Sequence, residues 1–178
     1  MRFRILATAV GMALLSSILA AAHASPIPQE KKEYLSDSEA DKIRDAYTSA
    51  ERIKLFLSFA DDRMKKFQYE SARATPERQR GEILNGLLNG YEGCIDDAAD
   101  QIQIGEEKQE DIRAALKEFA SKGKVFTAFL QKIDKNSPDY DSYQDTLADA
   151  IEGTKEALSD VDTALKAAPA APVRRKPS

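Results

Sequence analysis

Residues 36–67 read SDSEADKIRDAYTSAERIKLFLSFADDRMKKF, and this stretch decides the fold class. Ser36 and Glu39 stand three residues apart at its start, which is the pattern of a capping box. Because an α-helix turns once in about 3.6 residues, apolar steps of three and four place their side chains on one face. We therefore predict one long helix over residues 36–73. Its apolar series is Ile43, Ala46, Ala50, Ile53, Leu57, Ala60, Met64 and Phe67.

The same spacing recurs in three later segments. We predict further helices over residues 76–104, 106–135 and 138–167. Pro76 and Pro138 suit the first position of a helix, and Gly105 is typical of a helix end. Because the predicted loops are short, consecutive helices should run antiparallel. The sequence thus predicts an all-α fold, an up-down-up-down four-helix bundle with long coiled-coil-like helices over residues 36–168. Pairing of these helices between two chains is the alternative.

The N-terminus has the pattern of an export signal. An uncharged apolar run follows Arg2 and Arg4 and ends in Ala22-His23-Ala24, which resembles a signal-peptidase site. We expect residues 1–24 to be removed on export to the periplasm or the cell exterior, leaving an irregular segment over residues 25–35. A retained membrane anchor is the alternative.

Charge indicates which partners are expected. The tail, residues 169–178, is rich in proline and alanine, carries Arg174, Arg175 and Lys176, and should be disordered. Since both ends are basic, the predicted helical region is more acidic than the chain's net charge of −4. An acidic surface does not neutralise phosphates, so we expect no nucleic-acid partner. A protein partner or self-association is expected instead, with no stable membrane insertion after the leader is removed.

Several chemistries lack the residues they need. His23 is the only histidine and lies in the predicted leader, and Cys94 is the only cysteine. Histidine-dependent triads, haem ligation and thiolate zinc clusters are therefore not expected in the exported chain. We predict no catalytic residue, no metal site and no cofactor. The expected function is non-enzymatic binding or assembly in the bacterial envelope or outside the cell. A small-ligand or metal-ion binding bundle using carboxylates and tyrosines is the alternative, and a carboxylate-dependent hydrolase of envelope polymers is a remote one.

The first predicted helix carries more apolar surface than one seam uses. At about 100° per residue, Leu55 and Phe59 lie opposite the seam and Phe56 lies on its flank. A bundle helix touches two neighbours and has a wide apolar stripe, which accounts for Phe56 better than for the other two. We predict a partner-binding face formed by Arg52, Leu55, Phe56, Phe59, Arg63 and Lys66.

The second predicted helix contains the stretch NGYEGCIDDAAD at residues 89–100. Cys94 lies on the apolar seam, so we expect a buried thiol with a raised pKa and low reactivity. The carboxylates of Asp96, Asp97 and Asp100 should point away from it. The nearby acids and the cysteine are thus not expected to form one reactive site.

Three glycines of this helix, Gly86, Gly90 and Gly93, share the face away from the seam. Each lowers helix stability by roughly 1 kcal/mol relative to alanine. Packing within the seam does not account for them. We predict that the helix is locally loose or bent there, or that another backbone or a ligand approaches this strip closely.

Overall fold

Five α-helices make up most of the chain in a computed structural model that describes residues 34–73 and 79–167. They are α1 (Asp37–Asp45), α2 (Ser49–Ser71), α3 (Arg80–Glu107), α4 (Arg113–Leu130) and α5 (Gln144–Ala167). A short 3₁₀ helix spans Tyr140–Ser142, and these ranges contain no β-strand. The all-α prediction is therefore confirmed. The predicted leader, the predicted tail and the Thr75-Pro76 helix start lie outside the described residues.

The prediction of one continuous helix over residues 36–73 is wrong. The chain leaves the helical conformation at Ala46, whose ψ is 126°, and Thr48 is an extended N-cap to α2. Thr48 Oγ1 accepts the Glu51 N–H, and the Glu51 carboxylate accepts the Thr48 N–H. Residues 48–51, TSAE, thus repeat the capping box that Ser36 and Glu39 form in front of α1. The apolar spacing continues across the bend and concealed it.

The predicted helix end at Gly105 is also wrong, because α3 continues to Glu107. Gly105 is buried against the next segment: a Cβ there would lie 2.7 Å from Ile112 Cγ2 and 3.2 Å from Ser49 Cβ. The chain reverses at Gln109, whose φ is 55°. The glycine therefore permits close packing inside the helix, and the stop comes a turn later.

The last two predicted helices are shorter than expected. α4 ends at Leu130, five residues before the predicted boundary, and α5 begins at Gln144. Between them the Pro138 segment forms a loop and the 3₁₀ turn. Arg80 anchors this loop to α3, because its Nε donates to Asp139 Oδ2 over 2.7 Å. The paired side chains are mostly withdrawn from water, so the cap-proline pattern marks an anchored loop and not a helix start.

The core lies between the four long helices. α2 and α5 each pack on both α3 and α4. In the middle, the rings of Tyr91 and Phe126 meet edge to face with centroids 5.5 Å apart. The Tyr91 hydroxyl lies 2.7 Å from Thr154 Oγ1, so this buried polar group is satisfied. None of the described helices is long and apolar enough to cross a membrane.

Candidate functional site

The structure closes most of the predicted partner-binding face. Phe56 and Phe59 are only 4% and 6% exposed, and their rings meet edge to face at 6.4 Å. Leu55 is partly buried, and Lys66 is exposed and pairs with Asp62. The expectation of an open apolar face is therefore corrected at the two phenylalanines.

The segment Tyr34–Ala46, which we call the strap, packs on α2 and binds Arg63 of the predicted face. It contains α1, which packs on α2. Leu35 and Ile43 of the strap are buried in the same apolar cluster as Phe56 and Phe59. Arg63 joins the two parts, since its guanidinium lies 6.0 Å from the Phe59 ring centroid while it binds the strap. The apolar surplus of α2 is thus used within the chain.

Arg63 is the main polar anchor of the strap. It is 9% exposed, and its two terminal nitrogens donate to the two carboxylate oxygens of Glu39, Nη2 over 2.7 Å. Nη2 also donates to the Tyr34 carbonyl oxygen over 3.0 Å. Charge-assisted, paired bonds of this kind are among the stronger ones in proteins. They lower the pKa of Glu39 to about 2 and raise the pKa of Arg63.

The glycine strip divides into a covered and an open part. A Cβ on Gly93 would lie 2.7 Å from Tyr34 Cε1, so the tyrosine ring rests directly on this glycine. Gly90 lies under the Arg63 side chain, whose Cγ would be 3.5 Å from a Cβ. Gly86 has nothing within 4 Å. The group that approaches the strip closely is therefore a tyrosine ring from the strap.

Asp97 differs from its neighbours. Asp96 and Asp100 are exposed, whereas Asp97 is 5% exposed and accepts a hydrogen bond from the Tyr34 hydroxyl. Sequence reasoning missed Tyr34 and Asp97, and it missed that Glu39 both caps α1 and binds Arg63. Gly93 was the one available signal, because an unexplained helical glycine indicates close packing.

Cys94 lies beside these covered glycines and is fully buried, as expected. Burial raises the pKa of its thiol to about 12, while the positive charge of Arg63 acts in the opposite direction. A thiol held so far from ionisation is a poor nucleophile at neutral pH. The arrangement as a whole can hold a carboxylate at Arg63 and an aromatic ring on Gly93, which is binding chemistry.

A second surface lies outside the bend between α1 and α2. Residues Ala46–Thr48, which we call the elbow, border a groove of about 560 Å³. Tyr47 is 93% exposed there, and Arg52 holds the bend by donating to the Ala46 carbonyl oxygen over 3.2 Å. Of the predicted face, Arg52 thus holds the elbow and Leu55 lines the groove beside it. The groove is lined by Lys42, Asp45, Ala46, Tyr47, Glu51, Lys54 and Leu55.

Among the described residues, no group of three or more histidine, cysteine, aspartate or glutamate side chains could hold a metal ion. Comparison with known protein families, with curated proteins and with solved structures finds no match.

Proposed function

We propose that the protein is an exported four-helix bundle that acts by binding another protein in the periplasm or outside the cell, without catalysing a reaction. The packing of α2 and α5 on both α3 and α4 supports the bundle, since four amphipathic helices bury their apolar stripes in this way. The leader pattern at Ala22-His23-Ala24 supports export.

The elbow carries the proposal. Tyr47 is 93% exposed on a bend that is fixed on both sides. The Tyr47 N–H donates to the Glu51 carboxylate over 2.9 Å, and Arg52 binds the Ala46 carbonyl. A tyrosine on a fixed backbone offers a large contact area at low entropic cost, and tyrosine is enriched at protein interfaces. Leu55 in the same groove extends the apolar contact.

Charges around the groove indicate the partner's chemistry. Lys42, Lys54 and Asp45 line the groove beside Tyr47 and Leu55. Since the Glu51 carboxylate is engaged in capping α2, the two lysines outnumber the one other acid. A complementary surface would present an apolar anchor between carboxylates, because opposite charges at the rim favour association. We therefore assign the elbow to a protein partner with an acidic rim.

Tyr47, just before α2, and Tyr69, near its end, are both exposed and allow a matched test. The exported form and its Tyr47→Arg and Tyr69→Arg variants are each immobilised and used to capture proteins from an envelope extract. Tyr69 is 69% exposed and lies far along α2 from the elbow. We expect wild type and Tyr69→Arg to retain the same protein and Tyr47→Arg to lose it. Equal recovery by all three, or equal loss in both variants, would contradict a role for the elbow.

Export is tested separately. The full chain is expressed in a Gram-negative host, and the mass of the product in the periplasmic fraction is measured. We expect a chain that begins at Ser25. A full-length product that stays with the membrane would instead support a retained anchor.

A further inference from the structure

The elbow separates two segments that also suit one continuous helix. Ile43, Ala46, Ala50 and Ile53 keep the three-four spacing across the bend, and residues 46–48 contain neither glycine nor proline. The bend is held by the Thr48 capping box and by Arg52. Local sequence therefore allows both a bent and a straight connection between α1 and α2, and contacts of the strap decide between them.

Straightening the elbow would separate the strap from α2, α3, α4 and α5 of the same chain, which we call the body. The nine residues of α1 and the three of the elbow would then extend α2 by roughly 18 Å, at 1.5 Å per residue. Leu35 and Ile43 would leave the apolar core in which they are buried. Arg63 would lose the carboxylate of Glu39. Exposing this apolar surface to water is unfavourable unless the same contacts are supplied again.

We propose that a second copy of this chain supplies them, so that two copies exchange their straps. In the reciprocal dimer, Glu39 of each copy binds Arg63 of the other, and Tyr34 of each lies on Gly93 of the other. Every contact between the strap and α2 or α3 is kept, because the two straps are identical, whereas the bonds that hold the bend are exchanged for those of a continuous helix. A two-fold arrangement closes without further copies. Exchange of an identical segment between two copies is a low-cost route to a dimer.

The charge pair selects a second copy over an unrelated protein. The Arg63 guanidinium of the body binds Glu39 of the strap. The Tyr34 ring of the strap lies on Gly93, and its hydroxyl donates to the Asp97 carboxylate. A second copy of this chain carries the same strap, so it presents these groups without any change in sequence. The proposal concerns the strap and does not depend on binding at the elbow.

Charge reversal gives a direct test. Glu39→Arg and Arg63→Glu each place like charges at the contact within one chain, and the double variant restores an opposite pair. When the two single variants are denatured together and refolded, the strap of each fits only the body of the other. We expect a one-to-one heterodimer by native mass spectrometry and by size-exclusion chromatography with light scattering.

The controls keep the result interpretable. Each single variant refolded alone should form at least tenfold less dimer than the mixture, and the double variant should behave as wild type. A mixture that contains only monomers overturns the proposal. If the single variants do not fold alone, circular dichroism of the mixture decides. Recovery of helix in a heterodimer supports the exchange. A mixture that stays unfolded while the double variant folds overturns the proposal.

The elbow provides a second, independent test. Thr48→Ala removes the cap and favours the straight helix, so the dimer fraction at a fixed concentration should rise several-fold. Tyr47→Pro blocks the straight helix, because proline cannot donate to Ile43 and its ring clashes with the preceding turn; this chain should stay monomeric. Thr163→Ala, at an exposed threonine of α5, is the control for Thr48→Ala. Equal dimer fractions in all four chains would overturn the proposal.

Discussion

The carboxylate of Glu39 receives two N–H groups of Arg63 from a helix that begins ten residues further along the chain, and both side chains are nearly out of water, at 13% and 10% exposure. A buried ion pair does not by itself stabilise a fold, because both charges lose their hydration. Removing one partner of the pair lowers the stability of the fold, because the remaining charge stays buried. The pair therefore makes the position of the strap specific.

Glu39→Gln should lower the free energy of unfolding by roughly 3 kcal/mol, because it removes the paired carboxylate of the buried Arg63 guanidinium and leaves only the longer contact to Asp62, at 3.7 Å. Urea unfolding followed by circular dichroism measures the change. Asp41→Asn is the matched control, since it breaks the Arg44–Asp41 pair, whose side chains are 69% and 62% exposed. Exposed pairs contribute little, so this control should leave the midpoint nearly unchanged. Equal effects of the two substitutions would show that burial does not matter here.

Acid should loosen the strap at a defined pH. The pKa of Glu39 is lowered from 4.5 to about 2, first by its hydrogen bonds from Arg63. A lowered carboxyl pKa stabilises the fold above pH 4.5, and this contribution is lost as pH falls from about 4.5 towards 2. The difference in unfolding free energy between wild type and Glu39→Gln should therefore shrink across this window.

The difference in unfolding free energy between wild type and Glu39→Gln separates the effect of Glu39 from that of Glu92. Burial, with Asp96 and Asp149 nearby, raises the pKa of Glu92, so ionised Glu92 opposes folding and protonation relieves this as pH falls. Both chains contain Glu92, and its effect cancels in the comparison. A difference that stays constant from pH 6 to pH 2 would contradict the assigned role of Glu39.

The glycine strip gives a prediction with opposite signs at two positions. Gly86→Ala should stabilise the protein by about 1 kcal/mol, because alanine favours the helix and nothing lies within 4 Å. Gly93→Ala should lose this gain, because its Cβ would meet the Tyr34 ring at 2.7 Å. Thermal or urea unfolding of both variants measures the contrast.

A double-mutant cycle identifies the cause. In a Tyr34→Ala background the ring is absent, so Gly93→Ala should become stabilising, as Gly86→Ala is in wild type. If Gly93→Ala has the same effect with and without Tyr34, the ring does not explain the glycine.

Cys94 should react with a thiol reagent far more slowly in the folded chain than in the unfolded one. Its side chain is 0% exposed and burial raises its pKa to about 12, so labelling requires an opening of the structure. Stopped-flow absorbance with an aromatic disulfide at pH 8 measures both rates. Similar rates in buffer and in denaturant would show that the thiol is accessible.

Local signals in the chain were sufficient for the helices. The three-four spacing placed α2, α4 and α5 within the predicted segments and most of α3 within its own, and it placed Cys94 in the core. The bend before α2 was also encoded, by Thr48 and Glu51. It was missed because an apolar series that continues through a bend cannot reveal it, whereas the capping pattern could.

The strap was beyond such reasoning. Its anchors join residues that are far apart in sequence: Arg63 and Glu39 are separated by 24 positions, and Tyr34 and Asp97 by 63. No periodicity links such residues, and the glycines indicated only that something lies close. Phe59 therefore read as exposed, although the chain itself covers it.

For this protein, helix type and core side chains follow from the amino-acid sequence, because hydrogen bonding and capping act within a few residues and apolar spacing reports one face directly. The choice of a bent over a straight connection, the burial of Phe59 and the pairing of Arg63 with Glu39 follow from the packing of the strap on α2 and α3. Those contacts are stable only when distant segments meet, and their energies depend on the desolvation of groups that each segment alone would leave in water.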